Sequence, residues 1–99
     1  MSGADDLIGT WVSDPEDREG TQEFGRVTLV FEKDGELTYT VHAAGKDQKM
    51  FLTFRVEGEV IVTDQPSSPR QERTRFSVGS DGKLTVWFGG QRAVYVHEE

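Results

Sequence analysis

The acidic-glycine dipeptides Asp34-Gly35, Glu57-Gly58 and Asp81-Gly82 cut the chain into short segments in which apolar and polar residues alternate. Alternation with a period of two marks a strand with one dry face, and such dipeptides supply the positive φ that a tight antiparallel hairpin needs. Gln48 to Val56 sets Met50, Leu52, Phe54 and Val56 against Phe51, Thr53 and Arg55. Glu72 to Val78 sets Thr74, Phe76 and Val78 against Arg73, Arg75 and Ser77. Leu7 to Val12, Arg26 to Phe31, Glu36 to Val41, Val60 to Thr63, Leu84 to Phe88 and Arg92 to His97 complete a count of eight strands, with Gly89-Gly90 as the last turn. No stretch sustains a helical period, and the segments 14–20 and 64–70 are polar breaks carrying prolines.

Eight antiparallel strands of about six residues can close into an up-and-down barrel, which leaves no exposed sheet edge. The expected class is therefore all-β, as a single domain over 1–99 with an ordered part of roughly 7–97. The inward set predicted from alternation is Trp11, Val27, Leu29, Phe31, Leu37, Tyr39, Met50, Leu52, Phe54, Ile61, Phe76, Val78, Leu84, Val86, Val94 and Val96. A barrel of this size is either filled by its own side chains or holds one small ligand, and both readings stand on the sequence.

Charge and composition remove several function classes. Eleven basic and 18 acidic residues give a formal charge of −7, which repels a phosphate backbone, so nucleic acid is not an expected partner. With no cysteine there is neither a disulfide nor a thiolate centre, and packing alone must hold the fold. No window approaches the roughly 20 apolar residues of a membrane helix, and no basic-then-apolar leader opens the chain. The expectation is a cytoplasmic protein without membrane contact.

Gly9-Thr10-Trp11 opens the first apolar segment, and with the strand rhythm of residues 7 to 97 it resembles the lipocalin-like members of the calycin group. In that group a Gly-x-Trp motif begins the first strand and an arginine of the last strand packs across the indole. Arg92 is the candidate for that arginine and Arg75 its rival. The resemblance implies a shortened lipocalin-like barrel, without the usual C-terminal helix, that binds a small hydrophobic molecule.

The candidate ligand-binding residues are Tyr39 and Arg75 as polar anchors, with Trp11, Phe54 and Tyr95. Phe51 and Trp87 fall on the outer face by alternation, and as two aromatics on neighbouring surface strands they would form an interface for a homodimer or another protein. A structural or interaction domain with a solid core is thus the alternative to a ligand binder. Arg55, Arg70, Arg73 and Arg75 form either an anion site or surface ion pairs with Glu57, Glu59 and Glu72. His42 and His97 are the only imidazoles and show no metal-ligand spacing, so no metal or other cofactor is expected. His42 near Asp47 or Glu36 is the one formal acid-base pair, and no catalytic residue is assigned. The enzyme class ranks last.

Overall fold

A computed structural model describes residues 7–18, 22, 25–43, 45–65, 71–88 and 91–98. Its strands are β1 (Gly9–Ser13), β2 (Arg26–Phe31), β3 (Glu36–Ala43), β4 (Lys46–Glu57), β5 (Val60–Asp64), β6 (Gln71–Val78), β7 (Leu84–Phe88) and β8 (Gln91–Glu98). Each pairs antiparallel with its successor and β8 returns to β1, closing an eight-stranded up-and-down barrel consistent with a calycin-type fold. The three acidic-glycine turns sit where alternation places them: Gly35, Gly58 and Gly82 all have positive φ. The Gly35 carbonyl also accepts from the Phe54 N–H at 2.8 Å, tying the first hairpin turn to β4. The expected turn at Gly89-Gly90 and the segment 66–70 lie outside the described residues.

Trp11, Val27, Leu29, Phe31, Leu37, Ile61, Phe76, Leu84 and Val86 are buried as alternation requires, and Tyr39, Leu52, Phe54 and Val78 pack half-buried against them. On β8 the expected register is one residue out. Ala93 and Tyr95 are buried in the core, whereas Val94 and Val96 are only half-buried. Pairing decides this: Val96 lies opposite Val12, while Tyr95 and His97 lie opposite Ser13 and Trp11, so the inward side of β8 carries the odd-numbered residues. Because Val94-Tyr95-Val96 is apolar at three successive positions, period-two patterning carries no information about which way it faces.

Trp11 is 2% exposed, and its indole N–H donates to the Leu7 carbonyl at 2.9 Å. Among the described residues no arginine crosses it. Arg92 pairs with Trp87 on β7, and the ring that meets Trp11 is His97, edge to face at 4.8 Å between centroids. Gly9 makes room for this imidazole. It has φ +129°, and a Cβ there would stand 2.5 Å from His97 Nε2. Gly9→Ala combines a backbone conformation that disfavours side chains with a collision, so a loss of about 1–3 kcal/mol is expected, read as a lowered urea midpoint together with altered Trp11 fluorescence.

On the outside, Arg55 and Arg73 flank Val62 in the ladder, and both reach Glu57, at 2.8 and 2.9 Å. Val62, between the two arginines, is 2% exposed although it faces away from the core. Asp14 directly follows β1 and is buried. Its carboxylate accepts from the Glu16 N–H at 2.9 Å and meets Lys83 Nζ at 2.9 Å. The Glu16 hydrogen bond, and then Lys83, hold the Asp14 carboxyl below its ordinary range. A lowered carboxylate pKa contributes stability that is complete above the unfolded value of about 3.9 and is lost as pH falls through the folded value. The stability difference between wild type and Asp14→Asn should therefore be level at neutral pH and shrink in acid below about pH 4, a trend that urea titrations at several pH values would read.

Candidate functional site

Between the inner faces of β2 to β7 the barrel holds a cavity of about 360 Å³. Alternation builds it. Leu29 and Phe31 on β2, Leu37 on β3, Ile61 on β5 and Val86 on β7 form a buried apolar floor. Leu52 and Thr74 continue the walls, and Met50, Thr63, Gln65 and Glu72 form the more open rim. Met50 does point to the interior side, but at this rim it is 41% exposed rather than buried.

Of the residues expected to contact a ligand, Tyr39 lines this cavity. Burial pushes its hydroxyl above the ordinary phenol range, so it stays protonated and can both donate and accept a hydrogen bond. Phe54 stands outside the lining, packed edge to face on Phe31 at 5.0 Å, and supports the floor from behind. Trp11 and Tyr95 belong to the core beside the cavity rather than to its surface. Tyr95 is 1% exposed, and burial, then the neighbouring Tyr39 and Asp17, raise its phenol pKa.

Arg75 is not a cavity anchor. It lies on the outer face, opposite Trp87, with its guanidinium 5.3 Å from the indole centroid, a cation-π contact worth about 0.5–1 kcal/mol where solvent reaches it. The same contact corrects the outer-face patch. Trp87 is half-buried under Arg75, and it stands on β7 while Phe51 stands on β4, with β5 and β6 between them. The two aromatics therefore occupy separate regions, and only Phe51 is strongly exposed, at 67%. Of the arginine cluster, Arg55 and Arg73 are engaged with Glu57, and Arg70 lies outside the described residues.

His42 does meet Asp47, Nδ1 to Oδ1 at 3.1 Å, but on the outer face and away from the cavity. Among the described residues no three His, Cys, Asp or Glu side chains gather as a metal-binding group, and no helix is long and apolar enough to cross a membrane. The rim residues Thr63, Gln65 and Glu72 escaped sequence reasoning because they are polar and flank a break, the composition of an ordinary loop entrance. The missing signal was registration: Thr63 and Glu72 face each other across β5 and β6 only once the strands are paired. No protein-family model matches the chain, and comparison with curated proteins gives no match.

Proposed function

We propose that the barrel binds one small, mainly apolar molecule in this cavity, with a polar end near Tyr39 or the rim, the use that the lipocalin-like resemblance implies. The observation that carries it is the void itself. Packed interiors hold few spaces larger than a water molecule, whereas 360 Å³ lies within the range of about 300–1,000 Å³ typical of ligand pockets. The floor offers water no hydrogen-bond partner, so its contents are readily displaced by hydrocarbon. Burying about 200 Å² of ligand surface contributes roughly 5 kcal/mol, while association costs about 4 kcal/mol or more. Apolar burial alone thus gives weak binding, and Tyr39, Thr63, Thr74 and Gln65 supply orientation and selectivity.

The alternative of a solid interaction barrel loses its two supports, since the interior contains a cavity and the outer aromatics do not adjoin. Fluorescence titration with N-phenyl-1-naphthylamine, a neutral apolar dye, tests the binding reading. A saturable rise in emission at one dye per chain is the expected result. Emission that climbs linearly without saturation would count against it.

A further inference from the structure

On the barrel's outer face, β2, β3 and β4 bring together a hydroxyl, an imidazole and a carboxylate. Thr28 Oγ1 lies 2.8 Å from His42 Nε2, and His42 Nδ1 lies 3.1 Å from Asp47 Oδ1. Strand registration fixes the order: His42 stands opposite Asp47 on β4 and opposite Arg26 on β2, two residues from Thr28 on the same face. When Nδ1–H donates to Asp47, the Nε2 lone pair accepts from the Thr28 hydroxyl. That is the connectivity of an activated nucleophile, in which a carboxylate sets the tautomer of the base and the base polarises the hydroxyl.

Two further observations separate this trio from an ordinary surface hydrogen-bond chain. Thr28 and His42 border a surface groove whose walls include Val12, Val96, Arg18 and Arg26, with Glu98 also lining it. The groove therefore has apolar surface for a substrate body and two arginines in the same lining as Thr28. In a chain of net charge −7 these two arginines, set against Glu98 in the same lining, are the cations the groove offers to an anionic tail.

We infer that Thr28, His42 and Asp47 form a nucleophile, base and orienting carboxylate that take an acyl group from an ester carrying an anionic tail. In the step, Thr28 Oγ bonds to the ester carbonyl carbon while its proton passes to His42 Nε2. The carbonyl carbon to leaving-oxygen bond then breaks, and the leaving oxygen takes that proton, yielding alcohol and acyl-Thr28. His42 and Thr28 are the catalytic residues, whereas Asp47 is a positioning residue. The inference is independent of ligand binding inside the barrel.

The full chain is incubated with 4-nitrophenyl acetate or 4-nitrophenyl hydrogen succinate, followed by nitrophenolate release and tryptic peptide mapping. Cleavage after Arg26 and Lys33 isolates Val27 to Lys33, a peptide in which Thr28 is the only hydroxyl-bearing residue. The expected result is a burst of one nitrophenolate per chain, with the acyl mass on that peptide. Thr28→Val should abolish the modification there, and His42→Gln should slow it about 100-fold or more. Asp47→Asn should slow it less, and Arg26→Gln should erase a preference for the succinate ester. Acylation confined to lysine side chains, as fragment-ion sequencing of the peptides would place it, or a Thr28 rate unchanged in His42→Gln, would overturn the inference. Far-ultraviolet circular dichroism of each variant establishes that a lost burst is not a lost fold.

Discussion

Trp11→Ala is expected to remove about 3–5 kcal/mol of stability, the largest effect of any single truncation in the barrel. The indole is almost completely buried, its N–H is satisfied by the Leu7 carbonyl, and His97 closes on its edge. Truncation leaves a large cavity and an unpartnered carbonyl, and it removes the ring on which the β1–β8 closure packs. A domain of this size has a total stability on the order of 5–15 kcal/mol, so the variant would stand near the limit of folding. Urea unfolding followed by circular dichroism measures the loss. A cost under about 1 kcal/mol would show that Trp11 does not hold the core together.

Thr74→Phe should separate binding from folding. Thr74 is half-buried on β6, opposite Ile61, and lines the cavity, so a benzyl side chain there would enter the void. Overpacking a filled core usually costs about 1–3 kcal/mol, but here the ring meets space rather than atoms. The expected outcome is a loss of dye affinity of about 10-fold or more, equivalent to about 1.4 kcal/mol, with the urea midpoint unchanged or raised. If the midpoint falls while dye affinity is retained, the added ring has met packed side chains and the dye binds elsewhere.

These effects differ in how far the sequence foretells them. Alternation in Gln48 to Val56 and Glu72 to Val78, with the acidic-glycine turns, was enough for the strand count, the antiparallel order and most of the inward set, because each signal is local. Val94-Tyr95-Val96 defeated the same reading, since three successive apolar residues have no preferred face until Ser13 and Trp11 pair with Tyr95 and His97. The missing Arg92 contact has a similar origin. A motif in β1 constrains its own strand, but the ring that covers Trp11 is chosen by the register of β8, some 80 residues away, an offset that no local pattern encodes.

The candidate sites were less legible still. Tyr39 was readable as a hydroxyl on an apolar face, and the structure puts it in the cavity wall. Arg75 was misplaced because its charge suggested a ligand anchor, whereas alternation with Thr74 and Phe76 already sends it outward. Phe51 and Trp87 were both correctly outside, but their separation depends on strand order around the closed barrel rather than on sequence. Whether large side chains fill a barrel or leave 360 Å³ depends on shear and rotamers, which composition does not report.

The most direct measurement is a crystal structure of the protein saturated with N-phenyl-1-naphthylamine. Density for the naphthyl ring should lie inside the barrel against Leu29, Phe31, Leu37, Ile61 and Val86, with the amine directed toward Tyr39 or the rim. Dye bound instead on the outer face at Phe51 or Trp87, with Met50 and Leu52 folded into the interior space, would contradict an apolar binding cavity.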